Sequence, residues 1–302
     1  MPHDFAAWLP SKDLLSTDEL IEIIEVAVSQ GIDEIRLTGG EPMLRPDIVE
    51  IVSRISSIKN APKLSMTTNG LVLAKLAKPL VDAGLRRINI SLDTLDRDVF
   101  KKMTHRDRID DVFAGIAAAK EAGLLPVKIN TVLLRGINDG EAVSLLKWAL
   151  AEDLNLRFIE QMPLDAGGIW NREQLITADD IFSQLSEHYD LTPVEYRGSA
   201  PAEAFLINGG PATVGIIGSV SRPFCGACDR IRITSDGQLR SCLFSMTETD
   251  LRSILRSDLS QSEKTEALVS KFHSTVKAKL PGHGINDPSF IQPIRPMSAI
   301  GG

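Results

Sequence analysis

Every cysteine of the chain falls within one stretch, "FCGACDRIRITSDGQLRSC", Phe224 to Cys242. Cys225 and Cys228 form a CxxC pair, and Cys242 follows after thirteen intervening residues. Two thiolates on one tight turn can share a single centre, so the spacing suits zinc or an iron–sulfur cluster. Three thiols are an odd number for disulfides and one short of a closed tetrahedral site. The five histidines (His3, His105, His188, His273 and His283) all lie away from the motif in sequence. Three readings stand at this point. Cys225 and Cys228 are a redox pair or chance neighbours, with Cys242 a small buried hydrophobe. Or a distant His or Asp completes a structural zinc site. Or the three thiols hold a cluster whose remaining iron is open to substrate. Arg230 and Arg232 follow the pair, two residues apart in the strand-like "RIRIT", and alternation puts both on one face. Guanidiniums beside a cluster suit an anionic phosphate. A solvated, charged strand face is the plainer reading.

The elements before this motif alternate helix and strand. "LSTDELIEIIEVAVSQG" carries a Ser16/Glu19 capping box, apolar residues Leu20, Ile23, Ile24 and Ala27 at helical spacing, and Gly31 as a stop. Strands are expected at "IDEIRLTGG", "KLSMTTNG", "RRINISLDTL", "VKINTVLLRG" and "NLRFIEQMPL". Helices are expected at "RPDIVEIVSRIS", at "LAKLAKPLVDAG" with a break or kink at Pro79, at "IDDVFAGIAAAKEAG", at "DGEAVSLLKWALAED", and after the cap Thr177. Strand and helix in alternation mean a parallel sheet, whose ligands gather at the carboxyl ends of the strands. Thr38 to Glu41, Thr67 to Asn69, Ser91 to Asp93 and Glu160 to Met162 fall there. After about Asp190 the rhythm changes to short β-type runs, with "SDGQ" as a hairpin turn. Helices follow near Glu248 to Arg256 and Glu263 to Leu280, then the proline-rich tail "IQPIRPMSAIGG".

The bulk composition is that of a globular protein. In 302 residues, 43% are hydrophobic and 24% charged, enough for a large domain and a smaller one. The net charge of −7 argues against a broad nucleic-acid footprint. No apolar run approaches a membrane span, and no signal peptide opens the chain. Three clustered cysteines suit a reducing cytosol, so a cytoplasmic location is expected.

Taken together, "RLTGGEPMLRPD", "TTNG", "INISLDTL", the CxxC-x13-C motif with "DRIR", and the terminal Gly301-Gly302 occur in an order that resembles the GTP 3′,8-cyclases of molybdenum cofactor biosynthesis, a family of radical S-adenosylmethionine (SAM) enzymes. The resemblance covers essentially the whole chain. It implies a partial, open (β/α) TIM-like barrel over residues 1–190 and a cluster- and GTP-binding region over 191–302. It implies two 4Fe–4S clusters. The first, held by CxxxCxxC, cleaves SAM to a 5′-deoxyadenosyl radical that removes the 3′ hydrogen of GTP. The ribose radical then adds to guanine C8, giving (8S)-3′,8-cyclo-7,8-dihydroguanosine 5′-triphosphate. The second cluster matches Cys225, Cys228 and Cys242, its open iron meeting the guanine edge. The resemblance places GTP contacts at Arg36, Thr67, Lys128, Arg157, Arg230, Ile231 and Arg232. It places SAM contacts at Gly39, Gly40, Ser91 and Met162, and a flexible tail entering the site at Gly301 and Gly302. It also implies a homodimer, with the product passed to a cyclic pyranopterin synthase.

The chain departs from the family pattern in three places. It has no CxxxCxxC, and Met1-Pro2 looks like the pair that follows that motif's third cysteine. The expectation is a misassigned or truncated start lacking the first barrel strand, so the chain as written would not cleave SAM. The edge at "EIRLTGG" would then lie unpaired. Glu34 stands where many members have a lysine near the triphosphate, and Ala299 where a basic residue is usual. Two competing readings remain. One is a non-catalytic protein that binds a nucleotide with one cluster or a zinc. The other is a radical SAM enzyme acting on a peptide.

Overall fold

The computed structural model describes residues 9–165, 170–282, 284–287, 290–293 and 295–300. The first helix, α1 (Thr17–Ser29), begins at the expected capping box: Glu19 N donates to Ser16 Oγ at 3.1 Å, and Ser16 N to Glu19 Oε2 at 2.8 Å. The parallel strands are β1 (Glu34–Leu37), β2 (Lys63–Thr68), β3 (Arg87–Ser91), β4 (Lys128–Thr131) and β5 (Asn155–Ile159). Between and after them run α2 (Ile48–Ser56), α3 (Leu73–Asp82), α4 (Arg97–Thr104), α5 (Ile109–Glu121), α6 (Ala142–Ala151) and α7 (Ala178–Ser186). The helix α4 has no counterpart in the sequence reading. Asp96 starts it, its side chain accepting from Asp98 N and Val99 N. Pro79 does not break α3, which runs on through Asp82.

Three further strands complete the large sheet: β6 (Leu191–Pro193), β7 (Glu203–Ile207) and β8 (Thr213–Ile217). The order is β1-β2-β3-β4-β5-β8-β7-β6, parallel from β1 through β8 and antiparallel at the last two pairings. It is open among the described residues, with β1 at one edge.

The alternation of each strand divides the sheet into two faces. Leu64, Met66, Ile88, Ile90, Ile129, Leu156 and Phe158 are buried against the helices in the main core. The other face is polar. In register it reads Arg36–Ser65–Arg87, then Thr67–Asn89–Lys128–Asn155, then Ser91–Asn130–Arg157–Gly215, three staggered rows climbing toward the carboxyl ends. A parallel barrel usually fills its interior with branched apolar side chains. Here that face holds side chains suited to a polar ligand.

The chain then forms a small sheet of β9 (Arg232–Ile233), β10 (Gln238–Arg240) and β11 (Thr249–Asp250), followed by α8 (Arg252–Leu255) and α9 (Gln261–Lys277). "SDGQ" makes the expected hairpin, with Gly237 at φ +82° and Thr234 N donating to Gln238 O at 2.9 Å. This unit docks on α1: Ile23, Val26 and Ala27 pack with Leu239, Leu251, Leu255, Leu268 and Phe272. A short helix in the tail, α10 (Met297–Ile300), buries Ile300 with Leu164, Leu175, Val220 and Phe244. Among the described residues no helix is long and apolar enough to cross a membrane.

Candidate active site

The polar face is wired across strands. Arg157 Nη2 donates to Asn89 Oδ1 at 2.8 Å, and Asn89 Nδ2 donates to Thr67 Oγ1 at 3.1 Å. Arg36 Nε donates to Ser65 Oγ at 3.3 Å. Gly215, opposite Arg157 in register, makes room for it: a Cβ there would meet Arg157 Cγ at 2.8 Å. Three buried polar atoms on this face, Arg87 Nη2, Asn130 Oδ1 and Arg157 Nε, have no hydrogen-bond partner among the described residues. Native proteins rarely bury polar atoms unpaired, so a site that leaves three such atoms is shaped for a ligand.

Its electrostatics point to an anion. Burial pulls Arg157 down to about 10, with the charge of Arg36 adding to the effect. Lys128 is lowered by burial and then by Arg157, Arg87 and Arg36. Arg36 is lowered by burial; Glu34 opposes the shift, while Arg87 and Arg230 reinforce it. Arg232, from β9, is pulled to about 10 by burial, against the Cys242 thiol, with Arg230 and Arg36 adding to the fall and Cys228 opposing it. These mutual influences bring the sheet's cations together with Arg230, Arg232 and two of the three cysteines. Cations held close enough to depress one another favour an anion that relieves the repulsion.

The cysteines lie at the rim of this field. Cys225 opens a 3-10 turn (Cys225–Ala227), and all three thiols are half-buried and outside any disulfide. Phe244 N–H donates to Cys242 Sγ at 3.4 Å. Burial raises the Cys228 thiol, but hydrogen bonds from Arg230 outweigh it, and the net shift is downward, toward thiolate. Lys279 Nζ donates to both Arg230 O and Ser241 O at 2.7 Å, pinning the two chain segments that carry the cysteines. The expected shared face of Arg230 and Arg232 is only partly realised, because β9 begins at Arg232. The Arg230 guanidinium donates to Ser199 O at 3.0 Å and lies 5.2 Å over the Phe224 ring, whose centroid also has Arg197 5.1 Å away. The Ile231 side chain packs against the core shared with α1.

At the carboxyl ends, Gly39 has φ +135°, a conformation that L side chains rarely adopt. Gly40 lies against the tail: a Cβ there would sit 3.6 Å from Ser298 O. Ser91 ends β3 exposed, and Met162 packs with the cluster around Ile300. Two carboxylates in this region are structural. Glu41 accepts from Met43 N, Thr68 Oγ1 and Asn69 N, tying the loop after β1 to the end of β2. Glu160 is buried and accepts from Ala178 N, Val220 N and Ser221 N, joining β5, α7 and the loop after β8. The tail is anchored by Arg295, bidentate to Asp236 at 3.0 and 2.9 Å, and by Met297 N donating to Leu164 O at 2.9 Å. Gly301 and Gly302 lie outside the described residues.

Residues 4–149 match the Radical SAM superfamily, and residues 154–285 match the Molybdenum Cofactor Synthesis C family. Over 305 residues, spanning all of this chain and 88% of the relative, the sequence is 53% identical to the GTP 3′,8-cyclase of Streptomyces coelicolor. It is 49% identical over 310 residues to that of Mycolicibacterium smegmatis, again across the whole chain and 84% of the relative. The chain belongs to the GTP 3′,8-cyclase family. Its fold is also that of anSMEcpe with bound AdoMet, at a TM-score of 0.58 and 15% identity over 88% of this chain and 71% of that one.

As a GTP 3′,8-cyclase family member the protein is a radical SAM enzyme of molybdenum cofactor synthesis, and that superfamily implies a 4Fe–4S cluster and SAM. The alternative of a non-catalytic nucleotide binder is not favoured by these relatives. Among the described residues no group of three His, Cys, Asp or Glu is drawn up as a metal site. The donor chemistry nonetheless fits a cluster: three half-buried sulfurs, one accepting a backbone N–H, beside arginines that offset thiolate charge.

The sequence reading missed Arg87, Asn89, Asn130 and Gly215, all on the polar face. A signal was present in "RINIS", where Arg87, Asn89 and Ser91 alternate with Ile88 and Ile90. A strand sandwiched between helix and core would be apolar on both sides.

Proposed function

We propose that the protein cyclises GTP to (8S)-3′,8-cyclo-7,8-dihydroguanosine 5′-triphosphate in a SAM-dependent reaction, the first step of molybdenum cofactor biosynthesis. The observation that carries this reading is the gathering of Arg36, Lys128 and Arg157 on one polar sheet face, with Arg232 of β9 and the cysteines beside it. A nucleoside triphosphate brings the charge that such a field lacks.

In this reading Arg36, Thr67, Lys128 and Arg157 hold the nucleotide from the sheet, and Arg230, Ile231 and Arg232 from the cysteine segment. Thr67 Oγ1 already accepts from Asn89, which leaves its O–H to donate to the ligand. Cys225, Cys228 and Cys242 would hold a cluster whose open iron meets the guanine edge. Gly39, Gly40, Ser91 and Met162 would receive SAM, which supplies a carbon-centred radical when bound and reduced. The positioning residues then fix the ribose 3′ carbon and guanine C8 relative to each other, which is where orientation gains rate. The tail, whose Ser298 carbonyl lies beside Gly40, would cover that end of the site, and a role for Gly301 and Gly302 there belongs to the same proposal. A homodimer, a cytoplasmic location and a cyclic pyranopterin synthase that takes the product belong to the same proposal.

The test is an anaerobic assay with GTP, SAM and a reductant after reconstitution with iron and sulfide. It is run on the 302-residue chain and on the chain joined to its upstream in-frame coding sequence. The joined protein is expected to form 5′-deoxyadenosine and the cyclised nucleotide. The 302 residues alone are expected to bind GTP without forming 5′-deoxyadenosine, because they contain no CxxxCxxC. Absence of 5′-deoxyadenosine from a joined protein that carries such a motif would overturn the proposal.

A further inference from the structure

Arg87 opens β3 and shares the lowest row of the polar face with Ser65 and Arg36. Its Nη2 atom lies 2.7 Å from Glu34 Oε1, and the same carboxylate oxygen is 3.9 Å from Arg36 Nη2. The closer contact is not aligned as a hydrogen bond. Arg87 Nη2 is buried and has no hydrogen-bond partner among the described residues. The charge of Arg87 also depresses both Lys128 and Arg36, so it acts within the same field as the expected nucleotide ligands.

The row has a definite place along the site. Arg87 lies four strand steps from Ser91 at the carboxyl end of β3, about 13 Å at strand rise. The lowest row is open to solvent, with the Arg87 and Glu34 side chains 40% and 43% exposed. A nucleotide held by Arg157 and Lys128 in the two rows above would reach Arg87 with its far terminus. A carboxylate in that row is a poor match for a phosphate unless the phosphate replaces it. Glu34 carries one charge and engages Arg87 off-line, whereas a terminal phosphate carries more charge and accepts two aligned guanidinium bonds.

We infer that Arg87 is a ligand for the terminal phosphate of the nucleotide and that Glu34 is its resident counter-ion, displaced when that phosphate arrives. The inference rests on the proposed function. Glu34 then makes the lowest row a length gauge. A triphosphate reaches the row and exchanges the carboxylate for a better-matched anion. A diphosphate stops short, and the Glu34–Arg87 pair stays closed beneath it. The residue that departs from the family pattern thus has a stated task, which is to weaken binding of the triphosphate while Arg87 restores it selectively.

The experiment is calorimetric titration of the reconstituted 302-residue chain with GTP and with GDP at fixed salt, for the wild type, Arg87→Gln and Glu34→Gln, with melting curves to confirm folding. Arg87→Gln is expected to weaken GTP binding roughly tenfold, the worth of one charged hydrogen bond, and to leave GDP nearly unchanged. Glu34→Gln is expected to tighten GTP binding several-fold with little effect on GDP. The inference is overturned if Arg87→Gln binds GTP like the wild type, if it loses GTP and GDP alike, or if Glu34→Gln binds GTP no more tightly. Should Arg87→Gln fail to fold, the Glu34→Gln titration decides alone. If the wild type binds neither nucleotide, the proposed function itself has failed.

Discussion

Arg157 reaches across β4 to donate to Asn89, Nη2 to Oδ1 at 2.8 Å, and Asn89 hands the connection to Thr67 at 3.1 Å. Three strands are thereby joined on the face turned away from the helices. The orientation of the Asn89 amide is fixed from both sides. Its oxygen faces a cation and its NH2 group faces a hydroxyl, so the Arg157 guanidinium is held in place before any ligand arrives.

Replacing Asn89 with Leu should remove that hold. Arg157 already has one buried nitrogen without a partner and would gain a second. The hydrogen bond to a charged group is worth about 1.5–3 kcal/mol, so GTP affinity should fall about tenfold to a hundredfold. Calorimetric titration checks it, and unchanged affinity would show that Arg157 is positioned by packing alone.

Gly215→Ala tests the same arginine from the other side. The new Cβ would lie 2.8 Å from Arg157 Cγ and 3.2 Å from Ala202 Cβ. Overpacking of this kind costs about 1–3 kcal/mol. A lowered melting temperature together with weaker GTP binding is expected, because the strand cannot move without moving Arg157. Loss of stability with intact binding would place Arg157 outside the nucleotide site.

Arg295→Met should release the tail. Burial raises Asp236, but the bond from Arg295 and that from Thr234 more than offset it, and its carboxyl titrates below the usual range. A lowered folded-state pKa contributes stability above the unfolded value of 3.8, lost as pH falls through the folded one. Removing Arg295 should cost about 2–3 kcal/mol at neutral pH, less than a fully buried pair because Arg295 is 27% exposed. The acid-side slope of stability should flatten with it. In the joined protein that carries the CxxxCxxC segment, turnover should drop more than GTP affinity, since the tail lies against Gly40 rather than the cation rows. Equal losses in both would count against a separate role for the tail.

Asp93 has the opposite sign. Burial raises its carboxyl to about 6, only partly countered by the bond from Val132 N at 2.8 Å. A raised acid pKa makes the folded state bind the extra proton between 3.8 and about 6. Stability should therefore fall as pH rises through that window, and the deficit should persist above it. Asp93→Asn keeps an acceptor for Val132 and cannot ionise. It should stabilise the protein by roughly 1–3 kcal/mol at pH 7.5 and abolish the slope, as pH-dependent melting would show. A less stable variant would mean that the carboxylate has a cationic partner in the working enzyme.

Much of this protein was written in local sequence. The Ser16/Glu19 box starts α1, Thr177 starts α7, and "SDGQ" turns β9 into β10, because caps and turns are settled by residues within four positions of one another. The parallel sheet followed from short apolar runs alternating with amphipathic helices, and the cysteine spacing pointed to a shared centre before any fold was in hand. Local propensity makes Pro79 a break or kink. The helix α3 nonetheless continues through it to Asp82, packed against α5.

Only the tertiary structure decided which polar residues act together. Arg36, Arg87, Lys128 and Arg157 come from four strands and lie up to 121 residues apart, counting from 36 to 157. No local pattern relates them. The gathering of these cations on one face, the Gly215 gap that admits Arg157, and the Glu34–Arg87 contact depend on register between strands. That register is fixed by burying the opposite, apolar face: a slip of one residue would turn the cations into the core and the isoleucines toward the ligand. The sequence alone determined the elements and the chemistry of their side chains. The packing of Ile88, Ile90, Ile129 and Phe158 against the helices decided which of those side chains meet.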